Sequence, residues 1–228
     1  MEKKVVLITG AKGGLGSFVT KAFLAVSATV VGTSRSINQS DFKNDRFNAI
    51  PADIIQPAAA DDLVRQVIQR FGRIDALVHV MGSFAASPIH ATDDATWNNM
   101  RDLNLASAFN MFRAVLPHMR EAGSGRIVAV SSIAALQPAA GIGPYVTFKV
   151  ALNALVQTVA IENRDRNITA NAVLPGTMDT PANRKAMPNA DPKTWINPQD
   201  VADLILSLVS DSSEQITGAL IPVYPRNA

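Results

Sequence analysis

The 228-residue chain contains no cysteine. That absence removes disulfides, zinc ribbons and thiol nucleophiles together. Only three histidines are present, His79, His90 and His118, and their spacing forms no metal-binding pattern, so no metal site is expected. Charge is scarce as well: Asp, Glu, Lys and Arg make up 18% of the chain, below the ~25% usual for soluble domains. Twenty-one basic and 19 acidic residues leave a formal charge of +2, a mild excess without the concentrated basic field that a nucleic-acid surface requires. No nucleic-acid partner is expected. The first apolar run, residues 5–8, is cut short by Lys12 and the surrounding glycines, and no apolar run reaches the ~18 residues of a membrane span. The expectation is a cytoplasmic protein with no membrane partner. Thirteen glycines and 13 prolines are ordinary numbers for 228 residues, which excludes collagen-like and low-complexity chains.

What is abundant is core material, with 47% of residues hydrophobic. Length and composition suit a single large α/β domain over residues 1–228, because no repeat, charge block or linker divides the chain. Short β-branched runs at 5–9, 29–33, 47–52, 74–80, 126–131 and 168–174 read as strands, several apolar on both faces as a buried parallel sheet demands. Helical patterns lie between them. Residues 57–71 carry a stripe of Leu63, Val64, Val67, Ile68 and Phe71 with Asp61, Arg65, Gln66 and Arg70 opposite, and Asn197-Pro198-Gln199-Asp200 opens another helix with a cap, a first-position proline and an acid. Strand–helix alternation with right-handed crossovers gives a doubly wound parallel sheet flanked by helices on both faces. In helices 97–116 and 145–161 apolar residues spread around most of the circumference. Such helices are buried on two sides, either within the chain or at a subunit interface, and the second reading makes a homodimer or homotetramer the expected partner state.

The first strand runs directly into Gly10-Ala11-Lys12-Gly13-Gly14-Leu15-Gly16, and a helical pattern with Phe18, Ala22, Phe23 and Val26 follows. Strand, glycine turn and helix are what a dinucleotide pyrophosphate needs: close backbone approach, then free N–H groups and a helix dipole facing the negative charge. A nucleoside-triphosphate loop is excluded, because no glycine here is followed by Lys and Ser/Thr at that motif's spacing.

Tyr145 and Lys149 stand four apart on a helix, so their side chains leave one face ~6 Å apart. An ammonium near a phenol favours the phenolate and lowers its pKa, which makes the tyrosine a usable proton donor to a carbonyl or acceptor from an alcohol. Thirteen residues before Tyr145, Ser132 follows the strand 126–131 at the sheet edge where the glycine loop lies, placing a hydroxyl for a substrate oxygen.

These residues carry a resemblance. The chain resembles a short-chain dehydrogenase/reductase from Thr9 to about Pro222: Thr9-Gly10-x-x-x-Gly14-x-Gly16 matches that family's cofactor loop, Tyr145-x-x-x-Lys149 its catalytic pair, Ser132 its serine and Asn104 its helix asparagine. Pro175-Gly176 with Thr180 resembles the nicotinamide-side loop, and Asp53 the residue near adenine. The resemblance implies a Rossmann-type sheet of about seven strands and an oxidoreductase that moves a hydride between nicotinamide and a carbonyl or secondary alcohol. It implies that Tyr145 exchanges the proton, Ser132 positions the substrate oxygen, Lys149 lowers the tyrosine pKa and holds the nicotinamide ribose, and Asn104 orders a water in the relay. Cofactor contacts are expected from Gly10, Lys12, Gly14, Leu15, Gly16, Ser34, Arg35, Asp53, Ile54, Gly82, Pro175, Gly176 and Thr180, besides Tyr145 and Lys149. An enoyl reductase of the same fold resembles a Tyr–Lys spacing of seven, which is not available around Tyr145. A cofactor-binding sensor or scaffold without turnover is the alternative from a different class.

The chain also departs from the family pattern. Asn-Asn-Ala-Gly after the fourth strand is here His79-Val80-Met81-Gly82, Phe148 precedes the lysine where a small residue is common, and the tail Ile221-Pro222-Val223-Tyr224-Pro225 lacks the usual glycines. His79, in a buried strand, reads as a core histidine and not as a catalytic base. An NAD site places an acid ~20 residues beyond the glycine loop for the ribose 2′-hydroxyl, but no Asp or Glu occurs from Lys3 to Ser40. Ser34 stands at the acid's position, Arg35 beside it offers a donor fork for a 2′-phosphate, and Lys12 adds a charge. NADP is therefore the expected cofactor, with NAD possible. Substrate choice falls to residues 178–195, where Met178, Met187 and Trp195 suggest an apolar wall and Arg184 and Lys185 either meet an acid or are solvated.

Overall fold

The computed structural model describes residues 1–225. Seven parallel strands form one sheet in the order β3-β2-β1-β4-β5-β6-β7, where β1 is Val5–Thr9, β2 Thr29–Thr33, β3 Phe47–Ala49, β4 Ala76–His79, β5 Gly125–Val130, β6 Ile168–Pro175 and β7 Leu220–Val223. The central strands β1, β4, β5 and β6 are buried throughout. This explains their unbroken apolar runs, since helices cover both faces.

Alternation along each strand sorts the side chains into two cores. Val5 and Leu7 of β1, Leu77 of β4 and Ile127 and Ala129 of β5 meet α2 (Pro57–Phe71), α4 (Ser107–Ala122) and α5 (Gly143–Glu162) through Leu63, Val67, Phe112, Val115, Leu152 and Val156. Val6, Ile8, Val78 and Val128 point the other way, against α1 (Gly14–Ala25) and α7 (Pro198–Val209) through Val19, Phe23, Val201 and Ile205. Two shorter helices, α3 (Asp94–Arg101) and α6 (Pro181–Ala186), lie beyond the carboxyl ends of β4 and β6 in the chain. Strand order reverses between β1 and β4, so a crevice opens at their carboxyl ends.

Several sequence expectations change at the edges. β3 stops at Ala49 and β4 spans only four residues, because the chain beyond each turns away to form the crevice walls. The helix expected over 97–116 is two α-helices, α3 and α4, joined by a π-turn at Asp102–Ala106. The two flanking helices are thereby set out of phase. α5 is the one helix among the described residues long and apolar enough to cross a membrane, although Lys149, Asn153 and Gln157 interrupt its apolar run. It packs against β6 and α3 instead, with Phe148, Leu152 and Val156 buried. Asn197 caps α7 as expected, accepting a hydrogen bond from Gln199 N–H at 3.0 Å.

Candidate active site

The glycine loop is fastened to β2. Gly10, with φ +64°, donates its N–H to Thr33 O at 2.8 Å, and a side chain here would strain the left-handed backbone. Gly16 has no room for a Cβ, which would lie 2.0 Å from Gly10 O. A Cβ on Gly14 would come within 3.0 Å of the Thr180 methyl, so the loop after β6 closes over the start of α1. Thr180 is buried there and caps α6, accepting from Asn183 N–H at 3.3 Å. Pro175 ends β6, and Gly176 N–H donates to Val223 O of β7 at 3.1 Å. Leu15 turns into the core behind the loop.

Further along the crevice lie Ser34, Arg35, Asp53 and Ile54. Thr33 Oγ1, Ser34 Oγ and Asp53 Oδ1 are buried without hydrogen-bond partners. Unsatisfied buried polar atoms are rare, and these three, at the end of β2 and in the loops after β2 and β3, suit a polar ligand. Arg35 is exposed. Lys12 Nζ bonds Ser36 O and stands 3.4 Å from Asp41, an acid one residue beyond the stretch read as acid-free. Asp41 is already engaged, because its carboxylate also accepts Asn38 N–H at 2.8 Å. The loop bearing Ile54 is held by Asn110 of α4, whose amide donates to Ile54 O at 3.1 Å and Ile55 O at 2.9 Å. Sequence reasoning missed Asn110, although a lone amide between Phe109 and Met111 in an apolar helix is a readable signal.

At the opposite end, Ser132, Tyr145, Lys149 and Asn104 come together. Ser132 Oγ accepts Ala134 N–H at 3.2 Å, which leaves its hydroxyl hydrogen free to face Tyr145. Lys149 Nζ lies 5.8 Å from the Tyr145 ring centre and donates to Val130 O at 2.9 Å. The π-turn places Asn104 so that its amide donates to Met100 O at 3.0 Å and its Oδ1 accepts Ser83 N–H at 3.1 Å. Gly82 passes between two of these groups, since a Cβ there would sit 2.9 Å from Asn104 Oδ1 and 3.2 Å from Lys149 Nζ.

The electrostatics differ from the simple expectation. Burial pushes the Tyr145 phenol above its ordinary value of 10.0, and the Ser132 hydroxyl pulls it only partly back. Burial also lowers Lys149 to about 8. Desolvation dominates both groups, and the Lys149 ammonium is turned toward a backbone carbonyl.

His79 is fully buried and structural. Its Nδ1 stands 3.1 Å from Thr9 Oγ1 and its Nε2 3.3 Å from Ser107 Oγ. Ser107 Oγ donates to Leu103 O at 3.0 Å, so it accepts from Nε2–H, while Nδ1 accepts from the Thr9 hydroxyl, whose oxygen receives Met81 N–H at 3.2 Å. One ring thus ties the end of β1 to the start of α4. On the substrate side, Arg184 is taken up by a two-pronged pair with Asp179 at 2.6 and 2.8 Å, and Met178 packs into the core behind α1 and α7. Only Met187 and Trp195 remain as the expected wall, and Lys185 is exposed.

The short chain dehydrogenase family model matches residues 4–191. A 3-oxoacyl-[acyl-carrier-protein] reductase of Thermotoga maritima is 30% identical over 239 residues, covering 98% of this chain and 97% of its own. A (2S)-[(R)-hydroxy(phenyl)methyl]succinyl-CoA dehydrogenase subunit of Thauera aromatica is 31% identical, covering 98% of this chain and 96% of its own. Among solved structures, ElxO with NADP bound superposes with a TM-score of 0.92 at 26% identity, covering 98% of this chain and 97% of that one.

Burial of His79 has a measurable consequence. The ring is held neutral down to about 3, chiefly by burial and secondly by Lys149, whereas the unfolded chain takes up that proton below about 6.5. Stability therefore falls as pH drops from 6.5 toward 3, by about 1.4 kcal/mol per pH unit from this group. In urea unfolding between pH 6.5 and 4, His79→Asn should show a slope shallower than the parent by about one proton. Equal slopes would contradict the assignment.

Proposed function

The chain belongs to the short-chain dehydrogenase family, an NAD(P)-dependent oxidoreductase by that membership, and from this premise we propose that it is a cytoplasmic, NADP-dependent enzyme interconverting a carbonyl compound and its alcohol with Tyr145 as proton donor and acceptor. The observation that carries the proposal is the convergence of Ser132, Tyr145, Lys149 and Asn104 on one end of the crevice whose other end holds the glycine loop.

The residues present fit a dinucleotide. The N–H groups at Gly10–Gly16 and the N-terminus of α1 would hold its pyrophosphate, where the missing side chains leave room for backbone approach. Asp53 and Ile54 would hold its adenine, and Gly82, Pro175, Gly176 and Thr180 its nicotinamide half. The bound nicotinamide supplies hydride chemistry. Ser132 orients the substrate oxygen with its free hydroxyl hydrogen. Tyr145 delivers the proton in reduction and takes it back in oxidation. Lys149 carries the positive charge that stabilises the phenolate as it forms, and it holds the nicotinamide ribose. Asn104 orders a water that extends the relay while its side chain clamps Ser83.

Preference for NADP is supported by Arg35 just beyond β2, by the orphaned Ser34 hydroxyl, and by the engagement of Asp41 with Lys12 and Asn38. Self-association is supported by the outward faces of α4 and α5, where Phe109, Val150 and Ile161 are exposed although the inner faces are buried. A homodimer or homotetramer covers them.

Three outcomes are expected. Tyr145→Phe lowers turnover by at least ~10²-fold with cofactor affinity nearly unchanged. Cofactor binding without oxidation across a broad ketone panel by the unmodified protein would instead identify a sensor or scaffold. In steady-state kinetics, kcat/KM favours NADPH over NADH by at least ~10-fold, and Ser34→Asp with Arg35→Ala reverses the preference. Equal or better use of NADH would refute the reading of this loop. Light scattering gives two or four times the 24.3 kDa chain mass, and a monodisperse monomer at micromolar concentration would count against the interface.

A further inference from the structure

The segment after β4 is held to the π-turn, to itself and to the start of α5. Ser83 N–H donates to Asn104, Ser87 forms a β-bridge with Ile142, and the Ser87 and Thr92 hydroxyls lie 2.9 Å apart. Ile89 covers Gly143 so closely that a Cβ there would lie 2.3 Å from Ile89 Cδ1. Held this way, Phe84 meets the Tyr145 ring edge to face, with centroids 5.1 Å apart and planes at 75°. Yet Phe84 keeps 59% of its surface exposed. One side of its ring rests on the proton-transferring tyrosine and the rest is open.

The two chain segments that frame it carry no charge. No Asp, Glu, Lys or Arg occurs at residues 76–92 or 127–148, the two stretches that frame Ser132 and Tyr145. Leu136, four residues beyond Ser132, is exposed. Lys149 is turned to Val130 O and Arg184 is paired with Asp179. A substrate carrying a charge near its carbonyl would lose hydration here and meet no counter-ion from either of these two stretches. A flat ring, by contrast, would gain an aromatic contact that an open chain makes only in part.

We propose that Phe84 is a specificity-determining residue that selects uncharged carbonyl compounds with a ring next to the reacting carbon. The assignment rests on the carbonyl reduction proposed above. In that reaction the carbonyl carbon gains a hydride from reduced nicotinamide, which is oxidised, and the oxygen gains a proton from Tyr145, giving the alcohol.

The test uses the full chain with NADPH and NADH and three substrates: a phenyl ketone, an open-chain ketone of the same carbon count, and a phenyl ketone with a ring carboxylate. The unmodified protein should prefer the phenyl ketone to the open-chain ketone by at least about tenfold in kcat/KM, and to the carboxylate by about tenfold. Phe84→Leu should narrow the first ratio to about threefold or less, mainly through KM, and Phe84→Tyr, which keeps the ring, should retain it. Ketone turnover with no ring preference, or with a preference indifferent to Phe84→Leu, overturns this assignment and leaves the reductase reading standing. No turnover of any ketone with either nucleotide overturns both.

Discussion

The parallel pairing of β1 with β4, in register from Val6 opposite Ala76 to Thr9 opposite His79, is the constraint on which the site depends. It sets two chain reversals side by side at one end of the sheet. Gly10 follows one strand and Gly82 follows the other one turn later, and the backbones pass so closely that a Cβ on Gly10 would come 3.2 Å from Met81 N. A slip of one residue would turn every side chain of β4 to the opposite core and carry His79 away from α4. The His79 bridge therefore locks a register that the apolar residues alone specify less sharply.

Legibility in the sequence follows the distance over which each feature is determined. The glycine loop and the Tyr145–Lys149 pair are local, each contained in one turn or one reversal, and spacing alone places their side chains on a common face. Helix α2 is legible to its ends, because a proline starts it and Gly72 in the left-handed region stops it. The π-turn is different. Nothing in Asp102–Ala106 announces an extra residue, and the Met100 carbonyl it leaves for the Asn104 amide exists only once α3 and α4 are packed. Asp41 is hidden for a related reason: one residue past the acid-free stretch, it returns to Lys12 through a short helical turn that no periodicity foretells. β7 escaped placement because Leu220–Val223 is half-exposed and proline-containing, and only its pairing with β6 makes it a strand.

Electrostatics shows where a pairwise argument falls short. Two groups four residues apart on a helix invite a Coulomb estimate in which the cation assists the phenol. Burial acts on both, and it acts first: it disfavours the ammonium and the phenolate alike. The hydrogen bond from Lys149 to Val130 O anchors the ammonium beneath the ring, and under the proposed mechanism that fixed cation meets charge that develops only during reaction.

The charge-free stretches beside Ser132 and Tyr145 have a consequence for how this protein tolerates mutation. With no formal charge at residues 76–92 and 127–148, the field of Lys149 meets no fixed counter-charge from either segment. A change to Asp, Glu, Lys or Arg within a Debye length, ~8–10 Å, of Tyr145 would be felt at the phenol with no opposing charge from either segment. Many of those positions are surface loop, where such a change costs the fold almost nothing. Genetic drift can thus retune the chemistry of this site at the exposed positions of these loops while the scaffold beneath it stays as stable as before.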